Sequence, residues 1–323
     1  MTSTIITVVG SFAVGLTLRT PVMPIFGQTL IGSDFDMGPG GKGSNQAVAT
    51  SRLGASSSLV GIIGDDKLAE IATDLYAAEG VDTTYLLQTK ERPTGVGFII
   101  LNPKGENFII LDMGANNLMD AAYVDTAEAQ IAKSDIVMAV LEIPVAAAIR
   151  GMELGKKHGA LTILNPAPAA ELPPSIFPYI DYLTPNESEL RILLGLPPDD
   201  PTPTRTLAAQ LRGLGVKNVI VTMGAEGVLI LTDTLDQFVP AFKVDVVDTT
   251  GAGDAFNSGL AVALGEGQPL VEAVRFGAAC GALACTRLGV IPALAQRADV
   301  EKLLTPTTFD QSNTLRRSFH ESR

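Results

Sequence analysis

Histidine and cysteine, on which many hydrolases and zinc sites depend, are scarce in this chain of 323 residues. The only histidines are His158, at the end of a predicted helix, and His320, so we expect neither a Ser–His–Asp hydrolase nor a histidine-based zinc site. The two cysteines, Cys280 and Cys285, match no zinc spacing. Because they lie on different faces of one predicted helix, we predict two buried thiols in a reducing compartment and no disulfide.

Long hydrophobic runs and positive charge are lacking as well. The longest strongly apolar stretch, Phe276–Cys285, is bounded by Arg275 and Arg287 and is too short to span a bilayer. A net charge of −12 argues against nucleic acid or an anionic membrane as a partner. Residues Met1–Gly10 have no basic region and no small-residue cleavage site, so we expect no signal peptide and a soluble, cytoplasmic protein.

The chain does contain short β-rich apolar runs that alternate with longer helical patterns, and its 46% of hydrophobic residues suffices for a sizeable core. This alternation predicts an α/β fold with a doubly wound, mainly parallel sheet and helices on both faces. The predicted strands are Ile5–Val9, Leu59–Ile63, Ile136–Leu141, Leu161–Leu164, Tyr182–Leu183 and Val219–Thr222. The predicted helices are Ser44–Leu53, Lys67–Glu79, Ala121–Ala132, Val145–His158, Glu187–Leu194 and Leu207–Leu214.

Two segments interrupt the alternation. Leu16–Met37 is strand-like but broken by prolines, and Thr94–Asp112 is typical of a hairpin around the turn Asn102–Gly105. The pattern fits equally well a small separate sheet that covers a site as a lid and an extension of the main sheet at its edge.

The remaining pattern predicts one domain. The proline-rich segment Leu196–Thr204 is interpreted as a surface loop, because the alternation resumes unchanged after it. We therefore predict one α/β domain over residues 1–304, with the candidate lid strands at about 16–37 and 94–112, and a polar tail over 305–323.

The strongest chemical signal is the string Asp248–Asp254, which precedes an apolar helical run. Small residues before a helix leave backbone N–H groups free, and the helix N-terminus favours an anion there. Asp254 would then lie beside a cradle for a transferring phosphoryl group, where a carboxylate can take the proton of an attacking hydroxyl. A bare glycine turn that caps a helix is the plain alternative.

A second glycine-rich string, Gly38–Gln46, also leads into a helix. It lacks the Walker A spacing, because Lys42 is followed by Gly43. It offers close backbone approach and the polar tips of Lys42 and Asn45, although a plain glycine turn fits too. Glu142 follows an apolar strand, at the sheet edge where ligands bind in open parallel sheets.

Together these strings resemble the two signature regions of the ribokinase family, the pfkB-type carbohydrate kinases, and the resemblance runs from about Val8 to Leu304. Thr184–Glu189 is similar to the family's Asn-x-x-Glu motif, and Thr222–Gly227 to its nucleotide-binding turn. Three further strings are closer to ribokinase proper than to adenosine kinases or phosphofructokinases: Gly105-Glu106-Asn107, Gly114-Ala115-Asn116 and Leu164–Pro168.

The resemblance implies a fold, a set of ligands and a role for each matching residue. It implies ATP, Mg²⁺ and a monovalent cation, usually K⁺, with Asp254 as the base, Glu189 acting on magnesium through water, and a homodimer formed through the lid. The implied anion hole is Gly251, Ala252 and Gly253; the sugar site Gly41, Lys42, Asn45, Glu142 and Asp254; the ATP site Asn186, Thr222, Met223, Gly224, Glu226, Gly227, Gly253 and Ala278; and the monovalent-cation site Asp248, Thr250, Ala284, Arg287 and Gly289.

The sequence departs from the family pattern at three positions. Ala13 and Gly15 stand where the family has a sugar-binding Asn and Asp, and Ala293 stands where ribokinases often have a serine ligand to the monovalent cation. Phosphorylation of ribose is the leading expectation. Another sugar, a polyol or a nucleoside as acceptor, and a non-catalytic sensor of sugar or nucleotide, are the alternatives.

Overall fold

The computed structural model describes residues 3–104 and 107–305, and the strands found in them form two separate sheets. In chain order they are β1 Ile5–Val9, β2 Ala13–Arg19, β3 Ser33–Gly40, β4 Ser56–Gly64, β5 Leu86–Thr89, β6 Gly95–Leu101, β7 Asn107–Asp112, β8 Ile136–Val140, β9 Leu161–Asn165, β10 Tyr182–Leu183, β11 Asn218–Thr222, β12 Gly227–Leu231 and β13 Asp236–Pro240. The string at 105–106 and the tail beyond Thr305 lie outside the described residues.

The helices of the same residues are α1 Lys42–Arg52, α2 Lys67–Glu79, α3 Ala121–Thr126, α4 Glu128–Ile131, α5 Val145–Lys157, α6 Glu187–Leu193, α7 Thr204–Gly213, α8 Ala252–Gly265, α9 Leu270–Ala284, α10 Val290–Ala293 and α11 Arg297–Leu304. Short 3₁₀ helices cover Gly114–Leu118 and Pro174–Tyr179. Within the described part of the chain, no helix combines the length and the apolar character needed to cross a membrane.

The large sheet has the order β13-β12-β11-β10-β9-β8-β1-β4-β5. Its strands pair in parallel except β12, which is antiparallel to both of its neighbours. Successive side chains of a strand point to opposite faces, and both faces are covered here: Ile136 and Met138 pack into one core, and Val137 and Ala139 into the other. The predicted α/β fold is confirmed.

Helices cover the two faces in separate groups. The first core includes residues of α1, α2, α8, α9 and α11, and the second includes residues of α3 to α7. The start of α2 is fixed by Asp66, whose Oδ1 accepts the N–H groups of Leu68 and Ala69 at 3.0 Å. The helix ends at Gly80 in the left-handed conformation, a C-terminal cap that glycine adopts without strain.

The small sheet has the order β3-β2-β6-β7 and does not continue the large one. The structure therefore selects the separate sheet of the two alternatives that the sequence left open. Its strands β2 and β6 run parallel, with Ala13 opposite Gly95 and Gly15 opposite Gly97.

Two sequence predictions differ from the structure. The helix predicted over 121–132 is divided into α3 and α4 at the buried Ala127, whose N–H bonds to the carbonyl of Val124 in a tighter turn. Cys280 is buried, but Cys285 is only partly so because it follows the last residue of α9; both thiols are free.

Candidate active site

The candidate site lies where α1 and α8 begin, and each helix follows a glycine with positive φ. Gly41 has φ 90° and Gly251 has φ 80°. A Cβ at Gly41 would lie 2.8 Å from the backbone nitrogen of Ala13, and one at Gly251 would collide with Val290. Both glycines are therefore required by conformation and by space, and they aim two helix N-termini into the same region.

Asp254 lies in the first turn of α8 and is only 3% exposed. Its two carboxylate oxygens each accept an amide N–H from α1. Asn45 Nδ2 donates to Oδ2 at 2.8 Å, and Gln46 Nε2 donates to Oδ1 at 3.1 Å. The structure thus brings together the predicted base and Asn45, which are 209 residues apart in the chain.

The predicted anion-hole residues form the turn at the start of α8. The first hydrogen bond of α8 runs from the N–H of Ala255 to Gly251 O, at 2.9 Å. The N–H of Gly253 comes before this bond and therefore has no acceptor within the helix. Ala252 already donates to Thr249 O at 3.3 Å. A long turn bond of this kind is weak, and an anion would compete with it for the Ala252 N–H.

Glu142 is tied to the start of α1. Its Oε2 accepts Ser11 Oγ at 2.6 Å and the backbone N–H of Lys42 at 2.7 Å. Burial raises the pKa of Glu142 above 4.5, against the opposing effect of the Lys42 charge. The carboxylate thereby links the loop after β1, the end of β8 and the glycine turn before α1.

Lys42 is the cation of this cluster. The charge of Asp254 is the largest cause that raises the pKa of Lys42, and Glu142 and Glu189 add to it. Burial raises the pKa of Glu189 as well. One lysine therefore faces three carboxylates, and it stays charged among them.

The predicted nucleotide residues form a second group at the start of α6. Asn186 Oδ1 accepts the N–H of Glu189 at 2.8 Å, and Glu189 Oε2 accepts the N–H of Asn186 at 2.8 Å, which is a capping box. Asn186 pairs with Thr222 at the end of β11. These two residues and Gly224 line a cavity of about 440 Å³ that also contacts Arg191 and Asp200.

The turn after β11 is closed by backbone bonds. Met223 N–H donates to Gly227 O at 2.8 Å, and Glu226 N–H donates to Met223 O at 3.1 Å. Gly224 and Gly227 both have positive φ, 53° and 137°. Ala278, on α9, is not among the residues that line the cavity.

The predicted monovalent-cation residues lie on two joined segments. Asp248 Oδ1 accepts the N–H and the hydroxyl of Thr250 at 2.9 and 2.7 Å, and Oδ2 accepts the N–H of Gly289 at 3.3 Å. Cys285 O accepts the N–H of Asp248 at 3.2 Å. Ala284 is buried and Arg287 is exposed. Neither a methyl group nor a guanidinium has an acceptor atom, so only the backbone carbonyls of these two positions could bind a cation.

Sequence reasoning missed several residues of the site. Ser11 holds Glu142, and Gln46 holds Asp254. Asn165, at the end of β9, accepts a hydrogen bond from Gln46 at 3.0 Å. Asn257 accepts the Thr184 hydroxyl at 2.6 Å and donates to Gly253 O at 2.8 Å. One of these residues could have been found from the sequence: Asn165 is a polar residue at the carboxyl end of an apolar strand, where ligands bind in open parallel sheets.

Metal ligands are sparse around this site. Across residues 3–104 and 107–305, no group of three or more His, Cys, Asp or Glu side chains could hold a metal ion. Magnesium enzymes that act on nucleotides commonly use one or two carboxylates and the phosphates themselves. Glu189, partly buried and near the charges of Lys42 and Asp254, fits that mode of binding.

A buried carboxylate at a helix N-terminus, beside a second helix that begins after a glycine turn, is typical of a phosphotransferase acting on a hydroxyl. Known proteins agree with that class. The profile of the pfkB family carbohydrate kinases matches residues 3–297. The chain is 36% identical over 299 residues to a ribokinase of Haemophilus influenzae, which covers 93% of this chain and 98% of that protein. It is 39% identical over 252 residues to a deoxyribokinase of Salmonella typhi, covering 78% and 82%.

A solved structure agrees over the whole fold. The structure of an Arabidopsis thaliana ribokinase complexed with ribose and ATP matches with a TM-score of 0.86 at 31% identity, covering 95% of this chain and 100% of that one. The chain therefore belongs to the pfkB family of carbohydrate kinases.

Proposed function

We propose that the protein is an ATP-dependent ribose kinase, which transfers the γ-phosphoryl group of ATP to the primary hydroxyl of ribose. The observation that carries the proposal is Asp254, buried at the N-terminus of α8 and within hydrogen-bond distance of Asn45. Ribose is chosen because similar chains are named ribokinase, and one of them is solved with ribose and ATP.

In this mechanism Asp254 accepts the proton of the sugar hydroxyl as its oxygen attacks the γ-phosphorus, and ADP leaves. The N–H groups at the start of α8 stabilise the negative charge on the transferring group. Lys42, at the start of α1, adds a positive charge to this site. Asn45 Oδ1 is buried and accepts no hydrogen bond among the described residues, so it is available to a substrate hydroxyl.

The nucleotide would bind along Asn186, Thr222 and Gly224, in the cavity beside α6. Magnesium would be held by the nucleotide phosphates and, through water, by Glu189; when bound it neutralises phosphate charge. A potassium ion would lie between the segments that Asp248 and Gly289 join. The absence of a hydroxyl at Ala293 leaves that ion to carboxylate and carbonyl oxygens.

The small sheet is proposed as the lid and as a homodimer interface. On one of its faces Phe98, Phe108 and Ile110 are 52%, 57% and 57% exposed, an apolar surface that a second copy would cover. Residues 1–304 form the kinase domain in this proposal, with 305–323 as a tail. A cytoplasmic location agrees with the two free thiols.

The test is ADP release from ATP and magnesium, with and without potassium, in the presence of ribose, 2-deoxyribose, hexoses, polyols and nucleosides. Turnover that is highest with ribose supports the proposal. Turnover only with another acceptor keeps the mechanism and replaces the substrate. No turnover with any compound, together with measurable ATP binding, would favour a non-catalytic sensor.

A further inference from the structure

The carboxylate of Asp254 is held from one side by a glutamine that has no role in the proposed sugar or nucleotide contacts. Gln46 is fully buried, at 0% exposure, one residue after Asn45 on α1. Its Nε2 lies 3.1 Å from Asp254 Oδ1 and 3.0 Å from Asn165 Oδ1. Both hydrogens of one amide nitrogen are thereby used, one on α8 and one at the end of β9.

The orientation of this amide is informative. Gln46 Oε1 is buried and accepts no hydrogen bond from the residues that the structure describes. A buried acceptor without a donor costs stability, so packing alone gives no reason for this arrangement. The opposite orientation would place the amide oxygen against a carboxylate oxygen, which is repulsive. The two acceptor oxygens, Asp254 Oδ1 and Asn165 Oδ1, explain why the amide nitrogen faces them.

We propose that Gln46 is a positioning residue for the catalytic carboxylate: with Asn165 as its anchor, it holds Asp254 Oδ1 and leaves Oδ2, beside Asn45, directed to the substrate hydroxyl. The inference rests on the proposed kinase function. It assigns Gln46 to orienting the base, and gives it no direct contact with sugar or ATP.

The first test compares the pH–rate profile of the wild type with that of Gln46→Met, which keeps a buried side chain of similar length but removes the N–H donors. A hydrogen bond to a charged group is worth about ten- to a hundredfold in an equilibrium, so we expect kcat to fall by about that factor. The acidic limb of the pH–rate profile should move to higher pH, because the carboxylate has lost a hydrogen-bond donor. KM for ATP should stay unchanged.

A second variant separates this role from a folding defect. Gln46→Glu is isosteric and places a second carboxylate beside Asp254; two adjacent buried carboxylates do not both ionise readily, so the acidic limb should move further than in Gln46→Met. The charged neighbours Lys42, Glu142 and Glu189 are retained in both variants.

The matched control is Thr50→Val, one turn further along α1. Thr50 is fully buried and its hydroxyl bonds to Gln46 O at 2.9 Å and Ser57 Oγ at 3.0 Å, without contact to Asp254. The Thr50→Val variant should melt at a lower temperature than the wild type, and the acidic limb of its pH–rate profile should be unchanged. An unchanged limb in both Gln46 variants, with an active wild type, overturns the inference and leaves the proposed function intact.

A wild type without any turnover would overturn the proposed function but would not test the role of Gln46. A measurement of stability tests that role without catalysis. The hydrogen bond from Gln46 needs the Asp254 carboxylate as its acceptor. Gln46→Met should therefore lower the melting temperature more in the wild type than in an Asp254→Ala background, whereas Thr50→Val should lower it equally in both. Equal losses for Gln46→Met in the two backgrounds would overturn the positioning role.

Discussion

Replacing Asp254 by asparagine is the most direct perturbation of the proposed chemistry. The change keeps the shape of the side chain and removes its charge. The amide oxygen of the new side chain still accepts one of the two N–H groups that now reach the carboxylate, from Asn45 at 2.8 Å and Gln46 at 3.1 Å. The NH₂ group of the new asparagine faces the second of these two donors, so one buried N–H group is left without an acceptor.

The magnitudes for activity and stability differ widely. A general base contributes about 10²- to 10⁴-fold to a rate, so kcat should fall by that factor. One buried donor without an acceptor costs about 1–3 kcal/mol, which for a chain of this size is a loss of a few degrees in melting temperature. Asn186 and Thr222 are on other elements, so ATP binding should be retained.

The assay measures kcat and KM for both substrates, ATP affinity by calorimetry and the melting temperature. The control is Asp245→Asn, which removes the same charge from an exposed position in the loop before α8 and should leave all four unchanged. An Asp254→Asn variant whose kcat lies within tenfold of the wild type would refute the assignment of the base.

Three further outcomes are expected. Burial raises the pKa of Glu142 above 4.5, so the contribution of this group to stability is complete below pH 4.5 and is lost as the pH rises through the raised pKa. The melting temperature of Glu142→Gln should therefore rise relative to that of the wild type between pH 4.5 and pH 8. A difference in melting temperature that stays constant with pH would contradict this. Ala13→Asn with Gly15→Asp should raise kcat/KM for ribose, since a Cβ at Gly15 meets nothing closer than 3.7 Å; no change would mean that other residues define the sugar site. Phe98→Asp should give monomers in light scattering, while Phe238→Asp, equally apolar and 44% exposed on the large sheet, should not.

The sequence predicted the parts of the fold that depend on local pattern. Buried strands such as β8 and helices such as α2 were recognised because their periodicity is complete within a few residues. The sheet to which β2 belongs was not decided, because its partner β6 begins about 80 residues later, at Gly95. Pairing over that separation leaves no trace in either segment alone.

The site divides in the same way. Asp254, Lys42 and Asn45 were identified because each lies in a string whose spacing indicates a helix N-terminus. Gln46 stands in such a string and was still missed, since its function comes from contacts to residues 119 and 208 positions away. A glutamine on a helix carries no chemical signal until the fold shows what its amide faces.

The charges of the site argue for an active enzyme. At the partly buried Arg52 and Glu79 the charges are matched: the two side chains pair through two hydrogen bonds, of 2.9 and 2.5 Å, and Arg52 Nη1 donates to the carbonyls of Ile291 and Leu294. At the start of α1, one lysine faces three carboxylates, two of which have a raised pKa because burial disfavours their charge. This excess of negative charge lowers the stability of the protein at neutral pH. The proposed proton abstraction and phosphoryl transfer give a reason for it, because in that mechanism an ionised base lies next to the groups proposed to hold the sugar and the nucleotide.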